Sequence, residues 1–219
     1  MQVRLLLAEI ALREKDRDAL TALLAEVGKI EPAGGPVQPL LEARYLTFLA
    51  EEGERTAIEK ARNLLNGLAE KRQNSPQVHH ALARLAEVEG DRAKAVAEYR
   101  RAIELGDADM LSQQRLVGLL VETQQTKAAE EAVQMALQGG TMSPERQRMM
   151  LQTVSPLLNT PFLQKYVYQA TPAKNCDPSE HVWKGKMLWD IGERGKAIEE
   201  FRAASAAAGK VPELSLIHI

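Results

Sequence analysis

Two adjacent imidazoles, His79 and His80, are the first residues in the chain whose type and spacing could do chemistry. Histidine titrates near neutrality and is the commonest metal ligand. Neighbours on a helix point in different directions, so the two cannot close on one ion, and a surface or groove role is expected. Asp177, Glu180 and His181 form a second grouping with metal-ligating side chains. Asp177 stands where a helix N-cap belongs, and Glu180 three residues on brings the pair close to a capping box. Capping therefore accounts for two of the three, and no metal is expected. Cys176 is the only cysteine, so it has no disulfide partner within the chain. Only Lys174 nearby would favour its thiolate, and no nucleophilic role is expected. The chain has no Gly-rich phosphate loop, no Gly-x-Ser-x-Gly elbow and no His-Glu-x2-His helix. These readings point to a non-enzyme without a cofactor.

The bulk composition agrees. Of 219 residues, 45% are apolar and 26% charged, ordinary for a water-soluble protein, and the formal charge is −2. Nucleic-acid binding needs a basic face, which this balance disfavours. Aromatic residues are only 4%, which suits helices over a sheet-rich core. No apolar run reaches 18 residues, so no membrane insertion is expected. Met1–Leu12 is apolar but is interrupted by Glu9 and followed by no small-residue cleavage site, so a signal peptide is not expected. Compartment is not legible; the cytoplasm is the first expectation, with the periplasm open if a signal precedes Met1.

The elements that carry these residues repeat every 34 positions. Ala61, Ala95, Ala129 and Ala197 fall on one beat, followed four residues later by Leu65, Tyr99, Val133 and Phe201, and three after that by Leu68, Ala102, Ala136 and Ala204. Leu163, Val167 and Ala170 fill the intervening beat. A small–x3–large–x2–small pattern at this period predicts a solenoid of helix pairs. Ser75, Asp109, Ser143 and Asp177 fall on a second beat as helix N-caps, and Pro76, Pro144, Pro178 and Pro212 follow in phase, with Met110 the exception. Gly90 and Gly192 share the turn between the helices of a pair, and Gly106 is placed to end a helix in a left-handed cap. The step from Ala19 to Ala61 exceeds the period by eight, an excess assigned to the Glu31–Pro39 loop and to a longer turn at Gly53. Ser155-Pro156 should stop a helix and Thr160-Pro161 restart one, so a hinge is expected near 155–161.

This pattern resembles the tetratricopeptide repeat, through Leu82-Ala83, Gly90-Asp91, Ala95, Tyr99 and Ala102, and again through Gly185, Gly192, Ala197, Phe201 and Ala204. The resemblance spans nearly the whole chain. It implies an all-α, right-handed superhelical solenoid of about six antiparallel helix pairs over 1–213, with repeats near 1–31, 37–71, 75–106, 109–140, 143–171 and 177–209. Leu214–Ile219 reads as a non-native tail, and the chain as a piece of a longer solenoid.

The resemblance also implies a concave groove lined by the first helix of each pair. Its rows are His80, Gln114, Arg148 and Val182; Arg84, Gly118, Gln152 and Lys186; and Glu87, Val121, Ser155 and Trp189. Arg84, Arg148 and Lys186 would offer donors to carboxylates, and Trp189 an apolar anchor. Trp183, on the same helix, is expected to pack on the preceding pair. The Lys/Asn clamp by which one subgroup of the family holds chaperone tails is absent from the matching positions, so that ligand is disfavoured. The implied function is a non-catalytic scaffold that binds a peptide or a partner helix. The alternative is a regulatory or spacer module of a larger enzyme or membrane-associated protein, and RNA binding by the array comes third.

Overall fold

A computed structural model describes residues 2–32, 34–107, 109–138, 143–158, 160–169 and 177–208. Ala170, Cys176, Pro212 and the expected tail at 214–219 lie outside the described residues. Twelve helices and no strands occur among the described residues. They belong to two compact units, Met1–Ser112 and Gln113–Ile219.

The first unit holds α1 (Gln2–Glu14), α2 (Arg17–Ile30), α3 (Val37–Glu51), α4 (Thr56–Lys71), α5 (Pro76–Glu89), α6 (Arg92–Glu104) and the start of α7 (Met110–Glu122). The second holds the rest of α7, then α8 (Thr126–Gln138), α9 (Pro144–Val154), α10 (Thr160–Gln169), α11 (Pro178–Asp190) and α12 (Arg194–Ala208). All four alanines of the repeating beat are fully buried, as are Leu65, Tyr99, Val133, Leu163 and Val167. In the first unit the second helix of one pair packs on the first helix of the next. Ala61, Leu65 and Leu68 of α4 meet Val78, Ala81, Leu82 and Leu85 of α5 in one core. Leu20 and Val27 of α2 meet Leu41 and Phe48 of α3 in another.

The turns inside five of the six pairs share one device. Gly53, Gly90 and Gly192 adopt left-handed backbone with φ of 105°, 78° and 85°. The matching turn residues elsewhere are Lys15 and Gln124, at φ 58° and 60°. A side chain with a Cβ is strained in that conformation, yet the turn geometry is kept. Asp16 and Asp91 then cap the second helices of their pairs, accepting from Ala19 N at 2.9 Å and Lys94 N at 3.0 Å.

Several local expectations are corrected. Ser75 occupies the N-cap position of α5, but its hydroxyl donates to the Gln77 side chain rather than accepting from the helix. Asp177 accepts from the Ser179 N–H and hydroxyl, while Glu180 turns away from the helix end to Arg148, so no capping box closes. The loop assigned to Glu31–Pro39 is shorter, since α3 already begins at Val37. Pro39 sits in its first turn, where a missing N–H breaks no helical bond. The Glu31 carboxylate caps this start, accepting from Val37 N at 2.8 Å and Gln38 N at 2.6 Å. The break at Ser155-Pro156 is found where expected: α9 ends at Val154 and α10 begins at Thr160.

Candidate functional site

The first helices of the pairs in the first unit share a face, and that face carries a hollow of about 160 Å³. Glu9, Leu12 and Arg13 of α1, Arg44, Thr47, Phe48 and Glu51 of α3, His80, Ala81 and Arg84 of α5, and Leu111 of α7 line it. The size falls below the ~300–1,000 Å³ of pockets that enclose a small ligand.

Charge in the hollow is arranged in pairs that cross from one helix pair to the next. Arg44 of α3 donates to Glu9 of α1, and Arg84 of α5 donates to Glu51 of α3. Arg13 lies 3.8 Å from Glu9 with most of its side chain in solvent. Burial is the strongest single influence on Glu9 and raises its pKa. The charge and hydrogen bond of Arg44, with Arg13 and His80, outweigh it and hold Glu9 below the ordinary carboxylate value. Glu9 therefore stays ionised at neutral pH, and Arg44 and Arg84 each meet a carboxylate within the lining.

His80 lines the same hollow. Its Nδ1 lies 3.0 Å from the Ser112 hydroxyl and 3.3 Å from Asp107 Oδ2. Ser112 donates to the same carboxylate at 2.6 Å. Burial acts most strongly on Asp107 and raises its pKa, but hydrogen bonds from His80, Ser112 and the Asp109 N–H bring it below the usual value. The ring also meets Tyr99 edge-on, with centroids 5.9 Å apart. His79 points elsewhere, as expected of a helix neighbour, and bridges Glu98 at 2.7 Å and the Gln73 carbonyl at 2.9 Å.

Of the residues assigned to the groove from the sequence, His80 and Arg84 are brought together in this hollow. Glu87 is on the same helix and accepts from the Tyr99 hydroxyl at 2.6 Å. In the second unit, Gln114 donates to Thr153 at 3.1 Å. Arg148 pairs with Glu180 at 2.5 Å and lies over the Trp183 ring at 5.8 Å, so the tryptophan expected to contact the preceding pair meets this arginine of α9. Gln152 and Lys186 are exposed. Trp189 is 49% exposed, with the Arg194 guanidinium 5.6 Å from its ring centre. Arg84 and Arg148 were expected to present donors to a ligand; each also holds a carboxylate of a neighbouring pair.

Sequence reasoning missed Glu9, Arg13, Arg44, Phe48 and Glu51. The signal was present but out of phase. Asp16 and Asp91 cap matching helices 75 residues apart, which puts Glu9 at the position of Arg84. Gly53 and Gly90 mark matching turns 37 residues apart, which puts Thr47 there too. Rows drawn at a strict 34-residue period could not reach either.

No family model matches the chain, and no curated protein is similar to it. Solved structures are similar. One is PilW, described as a widely conserved type IV pilus biogenesis factor, at 15% identity over 97% of this chain and 94% of that one, with a TM-score of 0.53. A Pseudomonas aeruginosa PilF structure is 20% identical over 76% of this chain and 77% of its own, with a TM-score of 0.43. A tetratricopeptide repeat protein from Parabacteroides merdae is 12% identical over 94% and 92%, also at 0.43. Only the first superposes well enough to support an argument, and at such identity it speaks to the fold alone. Helix pairs on a 34-residue beat, buried alanines at their crossings and the likeness to PilW agree: the chain has the tetratricopeptide-repeat fold.

Proposed function

We propose that the protein is a non-catalytic scaffold that holds a peptide or partner helix against the face built by α1, α3 and α5. The observation that carries this reading is the hollow on that face, lined by the apolar Leu12, Phe48, Ala81 and Leu111 together with Arg13, Arg44 and Arg84. Its guanidinium groups outnumber the two carboxylates among them, so an acidic or carboxylate-bearing segment is the better fit. Arginine presents a planar fork of donors to such a group, and arginine and aromatic side chains are common anchors at interfaces. The small volume and the shared face favour an extended segment over an enclosed small molecule. The overall charge of −2 does not favour nucleic acid.

The test is affinity capture from the source organism with the immobilised protein, followed by titration of the captured partner. Arg13→Glu reverses an exposed charge on the rim, and Arg84→Gln removes a guanidinium from the wall. The double variant should weaken capture about tenfold or more, equivalent to ~1.4 kcal/mol, while helicity stays as in the parent. A partner bound equally by parent and double variant would remove this face as the site.

A further inference from the structure

We propose that the outer face of α1 is the seat of one more helix pair of the same kind, joined to this chain ahead of Met1. Val3, Leu6, Leu7 and Ile10 form a single stripe on α1 and are 67%, 65%, 47% and 51% exposed. Three-and-four spacing of this sort marks the side of a helix meant for burial. The stripe is not the side that α1 buries within its own unit, which is carried by Ala8 and Ala11.

The occupant is identified by register. The caps Asp16 and Asp91, the left-handed turn residues Lys15 and Gly90, and the buried alanines Ala8 and Ala83 all stand 75 residues apart. Moved by that step, the α1 stripe falls on Val78, Ala81, Leu82 and Leu85 of α5. Those four are at most 5% exposed, and what covers them is the preceding helix pair, through Ala43 of α3 and Ala61, Leu65 and Leu68 of α4. The α1 face is thus the next copy of an interface already present inside the unit. The occupant it fits presents a second helix with the Ala-x3-Leu-x2-Leu spacing of α4.

Two further observations select a tethered occupant. The charges beside the stripe are already satisfied within the unit, Arg4 by Glu26 at 3.1 Å and Glu9 by Arg44, so the face offers little to a polar partner. Four aliphatic side chains also fall short of the ~800 Å² per partner typical of stable free-standing complexes. A short covalent connection makes the contact intramolecular and removes that requirement.

The reading frame upstream of Met1 should encode a helix pair with that spacing; an in-frame stop codon directly before Met1 would overturn the proposal. The second test compares the 219-residue chain with the same chain carrying its upstream residues, each with and without Leu7→Glu and Ile10→Glu. The double change should lower the melting temperature by several degrees in the longer protein, and lower α1 amide protection by about tenfold or more. In the 219-residue chain it should leave both unchanged. Equal losses in the two lengths would make the stripe part of the unit's own packing. A concentration-dependent dimer of the 219-residue chain that the double change abolishes would assign the face to a second copy. Either result overturns the proposal.

Discussion

The third helix pair, α5–α6, and the sixth, α11–α12, lie 102 residues apart and meet one packing problem with different side chains. Much is common to both. His79 sits 2.7 Å from Glu98 and His181 sits 2.7 Å from Glu200, each tying the first helix to the second. Ala95 and Ala197 are both fully buried, and Gly90 and Gly192 make the same left-handed turn.

The difference lies around the aromatic beat. In the third pair Tyr99 is fully buried and its hydroxyl donates to Glu87 at 2.6 Å. In the sixth the matching aromatic is Phe201, which has no hydroxyl, and the position of Glu87 holds Trp189. A buried hydroxyl needs an acceptor and a phenyl ring does not, so aromatic and acceptor change together. The first helix changes as well. Ala83 becomes Gly185, where an added Cβ would stand 2.6 Å from the Phe201 ring. The repeat thus conserves contact volume and hydrogen-bond satisfaction, and lets residue identity vary within those two limits.

The largest effect should come from violating the limit both pairs share. Ala95→Phe puts a large ring at a fully buried crossing, and should cost about 3 kcal/mol in urea unfolding, the upper end for overpacked cores. It should loosen α3–α4 along with α5–α6, because adjacent repeats stabilise each other. The next effect separates the two pairs. Gly185→Ala should cost about 1–2 kcal/mol through the clash with Phe201. In a Phe201→Leu background the same change should become neutral or stabilising, since alanine is then the better helix residue by ~1 kcal/mol. A double-mutant cycle on the melting curves reads this coupling directly.

Tyr99→Phe makes the third pair resemble the sixth at one atom. It deletes the bond to Glu87, and a loss of about 1 kcal/mol is expected in urea unfolding. Adding Glu87→Trp should recover part of that loss if aromatic and acceptor vary as a unit. The smallest effect is a gain. Gln124 holds the left-handed turn that glycine holds in the third and sixth pairs, so Gln124→Gly should raise stability by ~1 kcal/mol or less in the same measurement.

The helices and their pairing were legible in the sequence because their causes are local and periodic. Small residues must recur where helices cross, and N-caps must recur where helices start. Ala61, Ala95, Ala129 and Ala197 announce the first requirement, and Asp177 and Ser143 announce the second. Which polar groups meet was decided by the tertiary structure. Arg84 reaches Glu51, Arg148 reaches Glu180, and Arg44 reaches Glu9, all between helix pairs. Such contacts depend on the summed length of every turn between the partners. The turn residues Lys15, Gly53 and Gly90 set the first two repeats at 38 and 37 residues, so a strict 34-residue period loses Glu9 and Thr47 although both share the phase of Arg84. Local chemistry set where each helix runs. The accumulated register between pairs set which side chains share a face, and only folding resolves that sum.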